Sequence, residues 1–204
     1  MSSKLTLDDI ADLRAYERER DEFRARVIEL KKRRRVAVGP FVTLLFENRD
    51  TIRFQIQEMA RVEKIISDEG VQGELDVYNP LIPGAGSLAA TLFIELTTKD
   101  DLLTWLPQLV GIERAVELRI GEGPVAEDGA TSVVTARPDP AHDKQLTRET
   151  TTASVHYVHF DLSPDQVAQV AAGPVSLAVT LPTYAFAANL SKATIDELVA
   201  DLNG

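Results

Sequence analysis

The segment Leu88-Ala89-Ala90-Thr91-Leu92-Phe93-Ile94-Glu95-Leu96 decides the fold class. Leu88, Ala90, Leu92, Ile94 and Leu96 occupy alternate positions, and alternate side chains of an extended chain lie on one face. Toward the C-terminus the pattern returns in Val116, Leu118 and Ile120, in His156, Val158, Phe160 and Leu162, and in Val175, Leu177, Val179 and Leu181. Such alternation suits an antiparallel sheet with one face covered. Toward the N-terminus the period changes. Leu13, Tyr16, Arg20, Phe23, Val27 and Leu30 are spaced 3, 4, 3, 4 and 3, the narrow apolar seam of one long helix or two abutting ones over residues 7–34, interrupted by Arg20. The two periods together predict an α+β fold, with N-terminal helices packed on a mostly antiparallel sheet of about six to eight strands that carries further helices.

Between these regions lies the basic run Lys31-Lys32-Arg33-Arg34-Arg35. As chemistry it is an anion or RNA patch; as local structure it is a helix C-terminus, whose dipole favours cations. Val36-Ala37-Val38-Gly39-Pro40 ends the helix, and Phe41 to Phe46 predicts a strand. Asn48 or Asp50 then caps a second helix over residues 50–66, with Ile52, Gln55, Met59, Val62 and Ile66 as its stripe. A short acidic helix is expected over Asp68–Asp76, with turns at Tyr78-Asn79-Pro80 and Ile82-Pro83-Gly84-Ala85-Gly86. Residues 1–86 are thus a helical region with a short strand or hairpin, and 87–204 an antiparallel α+β region, the two expected to form one compact unit. Within the latter, residues 121–152 are expected to be a flexible loop holding one hairpin strand, Thr131–Ala136, and a mobile stretch at Pro138–Glu149.

A strand-to-helix unit recurs. Glu95-Leu96-Thr97-Thr98, Asp161-Leu162-Ser163-Pro164 and Asn189-Leu190-Ser191 each end a strand and open a helix with a hydroxyl. Thr98, Ser163 and Ser191 are the expected N-caps, Pro164 suits the first helical position, and Gln166 completes a capping box with Ser163. The recurrence is either an internal duplication or three uses of one capping rule.

The 204 residues suffice for a core held by apolar burial, since a chain of this size buries roughly 70% of its unfolded surface. With no cysteine, the chain cannot supply disulfides, thiolate metal sites or thiol catalysis. The formal net charge of −10 argues against general nucleic-acid binding. The opening residues Met1 to Asp9 have no apolar core of the kind a secretory signal needs, and no run of about 18 apolar residues occurs, so a cytoplasmic location without membrane insertion is expected.

Lys-Lys-Arg-Arg-Arg-Val-Ala-Val-Gly-Pro from Lys31, Phe46-Glu47-Asn48-Arg49, Thr51, Gln55-Ile56-Gln57-Glu58-Met59, the opening Leu5-Thr6-Leu7-Asp8-Asp9-Ile10 and Tyr78-Asn79-Pro80-Leu81 together resemble the bacterial family called domain of unknown function 3501. The resemblance covers most of the chain and is strongest over residues 31–82. The family has no assigned activity, so no catalytic residue carries over. What the resemblance implies is context: members are often encoded beside a rubrerythrin-like di-iron protein and an iron–sulfur oxidoreductase, which implies an accessory role beside a redox partner.

Read from the residues, metal chemistry finds little support. His142, His156 and His159 stand in no Glu-x-x-His motif, and His156 and His159 point to opposite faces of one strand. No metal and no cofactor is expected. Gly84-Ala85-Gly86 and Gly121-Glu122-Gly123 are too short for a phosphate-binding fingerprint, and there is no Gly-x-Ser-x-Gly. The candidate ligand-binding residues are Arg20, Glu47, Arg49, Gln55 and Glu58. Arg20 and Gln55 interrupt apolar stripes, and polar groups on core-facing positions need partners. Arg20 and Arg49 could hold an anion with Glu58 as acid, base or orienter, or Arg20 and Glu58 could form a structural pair between helices. Three functions follow: an accessory protein of a redox system, a small-anion-binding enzyme or sensor using the Glu47–Glu58 cluster, and a homo-oligomer with the first helix as its seam.

Overall fold

The computed structural model describes residues 4–121, 132–140, 146 and 150–204. Asp12 opens α1 (Leu13–Arg34) by accepting hydrogen bonds from the backbone N–H of Arg14 and Ala15. The β-branched run that follows extends into β1 (Arg35–Val38), which turns through Gly39 into β2 (Val42–Glu47). Asn48 caps α2 (Arg49–Glu63), which stops at left-handed Lys64, and Ser67 caps α3 (Asp68–Tyr78). The chain then alternates: β3 (Ser87–Ile94), α4 (Lys99–Trp105), β4 (Val116–Ile120), β5 (Ser132–Thr135), β6 (Arg137–Pro138), β7 (Val155–Asp161), α5 (Pro164–Ala172), β8 (Val175–Leu181), β9 (Tyr184–Asn189) and α6 (Lys192–Asn203).

The α+β class holds, with helices first and antiparallel strands after. The single expected sheet is instead two among the described residues: sheet A in the order β1-β2-β3-β7-β6 and sheet B in the order β5-β4-β8-β9. The four alternating apolar sets all point into one core between the sheets, where Leu92, Leu118, Phe160 and Leu177 are fully buried. Alternation reports that a face is covered. It does not report which strands share hydrogen bonds, so both sheets gave the same signal.

The two sheets are joined at both ends. β5 and β6 are one extended stretch bent at Ala136, whose N–H donates to the Val116 carbonyl of sheet B, while β6 pairs with β7 of sheet A. At the other end, Tyr184 of β9 lies against β1 and the turn that follows it.

Thr98, Ser163 and Ser191 each accept the expected hydrogen bond at the start of α4, α5 and α6, and Gln166 closes the capping box with Ser163. The second helix departs from the expected stripe. Ile52, Ile56 and Ala60 face inward, whereas Val62 is 65% and Ile66 86% exposed. The helix ends at Glu63, so Ile66 is not part of it. Of the expected loop, residues 132–138 form β5 and β6 and Asp139 is buried; most of Pro138–Glu149 lies outside the described residues. Among the described residues, no helix is long and apolar enough to cross a membrane.

Sheet A is covered on both faces at its centre, where every residue of β2 is buried, and is more open along β1 and β7. Its inner face meets sheet B, and its outer face meets α1, α2 and the α3 region. That outer layer builds the site.

Candidate functional site

The floor of the site follows from strand register. Leu45 of β2 lies opposite Thr91 of β3, and Thr91 lies opposite Tyr157 of β7; in the next row Thr43, Phe93 and Val155 align in the same way. These side chains point away from the inter-sheet core and are roofed by helices. Lys31 comes down from α1, four residues beyond buried Val27 and so on the same helix face. Ile52 and Gln55 come from α2, and Tyr78 and Leu81 from the end of α3 and the turn after it. Together they enclose a cleft of about 200 Å³. That is below the roughly 300–1,000 Å³ of sites for drug-sized ligands, so the cleft has room only for a compact molecule.

Glu47 sits at one edge of the floor and is only 6% exposed. Its two oxygens accept from different hydroxyls, Thr51 Oγ1 and Thr91 Oγ1, the latter at 2.6 Å. Its carbonyl accepts from Arg34 Nη2 at 3.2 Å, so α1 also fixes its backbone. Lys31 differs. Among the described residues it makes neither a hydrogen bond nor an ion pair, and its Nζ lies 5.4 Å from the centre of the Phe54 ring. Burial holds the Lys31 ammonium below the ordinary lysine range; Glu47 opposes this and Arg35 adds to it. Burial also pushes Tyr157 up to about 12, with Tyr78 and Glu47 contributing, so it stays a phenol at neutral pH. The cleft therefore offers a poorly solvated amine, a carboxylate whose oxygens are engaged, a threonine hydroxyl that donates to that carboxylate, two phenol rings and one amide, on walls otherwise apolar.

The residues singled out from sequence divide into three places. Glu47 and Gln55 line the cleft. Arg20 and Glu58 pair with each other between α1 and α2, with Nε to Oε1 at 2.8 Å and Nη2 to Oε2 at 3.0 Å; Tyr16 Oη donates to the same carboxylate at 2.7 Å. Arg49 pairs with Asp9 at 2.5 Å. The cluster is thus spread over two faces of α2. Lys31, Thr91, Tyr78 and Tyr157 complete the cleft and were not singled out. The basic run is also heterogeneous. Lys32, Arg33 and Arg35 are exposed, whereas Arg34 is fully buried and donates to the carbonyls of Phe46 and Glu47 and to Glu197 and Asp201. A signal for this existed in the spacing: Lys31 and Arg34 continue the inward face of Phe23 and Val27 at helical intervals.

The histidines of β7 do point to opposite faces. His156 Nε2 is 2.8 Å from Thr152 Oγ1 on the inner side, and His159 Nε2 is 3.1 Å from Asp139 Oδ2. Among the described residues, no group of three or more His, Asp and Glu side chains is placed to hold a metal ion. A larger hollow of about 280 Å³ lies between the N-terminal turn and the end of α2, lined by Leu7, Ile10, Leu13, Ile65, Ile66 and Val71. Asp12, Arg14 and Asp68 stand at its edge, and Asp12 is engaged as the cap of α1.

Comparison with solved structures finds a protein of the same fold: a novel protein of unknown function from Burkholderia pseudomallei K96243, 38% identical, TM-score 0.86, aligned over 98% of this chain and 100% of that one. Comparison with curated proteins finds no match. The family model described as Protein of unknown function (DUF3501) matches residues 4–202, and the chain belongs to that family.

Proposed function

We propose that this protein binds a compact organic molecule in the cleft over the outer face of sheet A, with an apolar body and one carboxylate or carbonyl group set against Lys31. The observation that carries the reading is Lys31 itself. Among the described residues Lys31 has no carboxylate or carbonyl partner; a lysine withdrawn from water in that way is costly to the fold, and a ligand oxygen would supply the missing partner. Glu47 lies in the same cleft but has both oxygens engaged by threonine hydroxyls. Phe93, Val155, Leu45 and Ile52 give the ligand body an apolar seat. Tyr78, Tyr157 and Gln55 supply hydrogen-bonding groups around it. This reading moves the ligand from an arginine clamp to Lys31, because Arg20 and Arg49 each already face a carboxylate.

The test is a panel of small monocarboxylates and 2-oxo acids with their neutral amides, followed by thermal shift and calorimetry. Acids or oxo acids are expected to raise Tm by several degrees at millimolar concentration. Lys31→Gln should remove the effect and leave the fold intact. A panel in which no compound binds, or in which binding is unchanged in both Lys31→Gln and Tyr157→Phe, overturns the reading.

A further inference from the structure

We propose that Lys31 is a nucleophile that forms an imine with the carbonyl carbon of an aldehyde or 2-oxo acid held in the cleft. The proposal rests on the ligand-binding reading above and adds a covalent bond to it. The lone pair of a neutral Lys31 Nζ attacks the carbonyl carbon. A C–N bond forms, and the carbonyl π pair moves to oxygen, which takes up a proton. The resulting carbinolamine loses that oxygen as water, leaving a protonated imine. Amine, carbonyl and one proton taken from solvent thus give iminium plus water, with no oxidant or reductant required.

Three features of the cleft favour this bond at Lys31. The first is availability. Lys32 and Lys192 are paired to Glu29 and Asp196, Lys4 donates to the carbonyls of Asn79 and Ile82, and Lys64 and Lys99 are exposed to water. Among the lysines of the described residues, Lys31 combines shelter with an Nζ that has no carboxylate or carbonyl partner and meets only the face of the Phe54 ring. The second is charge. Glu47 from β2 and Arg35 from β1 are the charges that act on Nζ, the Phe54 ring of α2 lies 5.4 Å from it, and Gln55, Tyr78 and Tyr157 line the same cleft. An iminium keeps the single positive charge of the ammonium, so the field of Glu47 that suits one suits the other. Burial, by lowering the ammonium's stability, supplies the neutral amine that must attack. The third is shelter. Phe93, Val155, Leu45 and Ile52 limit the water that would hydrolyse the product.

The experiment incubates the full chain separately with glyoxylate, pyruvate and benzaldehyde in the presence of sodium cyanoborohydride, which reduces an imine to a stable amine, and maps the modified lysine by peptide mass. Labelling at Lys31 is expected to run several times faster than at exposed Lys32. Lys31→Arg keeps the charge and should abolish that adduct without lowering Tm, and Glu47→Gln should slow it. Uniform labelling of the lysines, or labelling that spares Lys31, overturns the proposal. Calorimetry on the same compounds without reductant separates the two failures. Binding without an adduct at Lys31 sinks only the imine, whereas no binding and no adduct sinks the ligand-binding reading with it.

Discussion

Tyr184 Oη donates a 2.8 Å hydrogen bond to the carbonyl of Val38 and accepts from the backbone N–H of Phe41 at 3.2 Å and of Val42 at 3.1 Å. One hydroxyl from the last strand of sheet B thereby satisfies three backbone groups around the first hairpin of sheet A. Tyr184→Phe removes all three bonds and leaves buried backbone groups without a partner. It is expected to cost about 2–3 kcal/mol, read as a lower urea midpoint at unchanged slope.

The same contact explains Gly39. Its φ is +80°, and a Cβ there would lie 2.6 Å from Phe186 Cγ and 2.6 Å from Tyr184 Oη. Gly39→Ala combines left-handed strain with a collision against the closure between sheets. A fall in stability of about 2 kcal/mol or more is expected, with Tm lowered by several degrees.

Arg34 is a buried cation with its partners in place. Its Nε donates to the Phe46 carbonyl at 2.9 Å, and its other nitrogens reach Glu47 O, Glu197 and Asp201. Arg34→Met strands Asp201 against the core and leaves Glu197 with Arg33 alone, and should cost about 3–5 kcal/mol by denaturant unfolding. Arg34→Lys should not rescue it, because an ammonium cannot span the same fork of acceptors.

Hydrogen bonding from Arg20 holds the Glu58 carboxyl at about 2, from an ordinary value of 4.5, against the opposing effect of burial. Because the folded value is the lower one, the pair's contribution is fully present above pH 4.5 and is lost as pH falls toward 2. Wild-type Tm should therefore fall through that interval more steeply than that of Glu58→Gln. At neutral pH Arg20→Leu should lower Tm, and the double variant Arg20→Leu/Glu58→Leu should recover part of the loss. Parallel acid limbs in wild type and Glu58→Gln would refute the assignment.

Much of the architecture could be read from the chain, and the reason is local. Thr98, Ser163, Ser191 and Asn48 cap their helices because a hydroxyl or amide oxygen before a helix answers orphan N–H groups, whatever the tertiary setting. The inward set Leu88, Ala90, Leu92 and Ile94 was legible because covered faces demand apolar side chains. The cleft was not legible in the same way. Its floor is the opposite parity of the same strands, Thr91, Phe93 and Tyr157, a mixture that resembles a solvated face until helices are known to cover it. Which helix covers it depends on register and crossing, which no local rule supplies. Lys31 was obscured by its neighbours, since a run of five basic residues reads as one solvated feature while helical geometry sends two of them inward.

The bend at Ala136 makes one stretch of backbone an edge strand of both sheets. Neither sheet can then lift away without pulling its neighbour's rim, and each protects the apolar side of the other. Heat has no intermediate to populate in which one layer survives. Melting should be all-or-none, with calorimetric and van't Hoff enthalpies in agreement. A proteolytic nick within residues 132–138 would release both layers together instead of trimming a fragment from one.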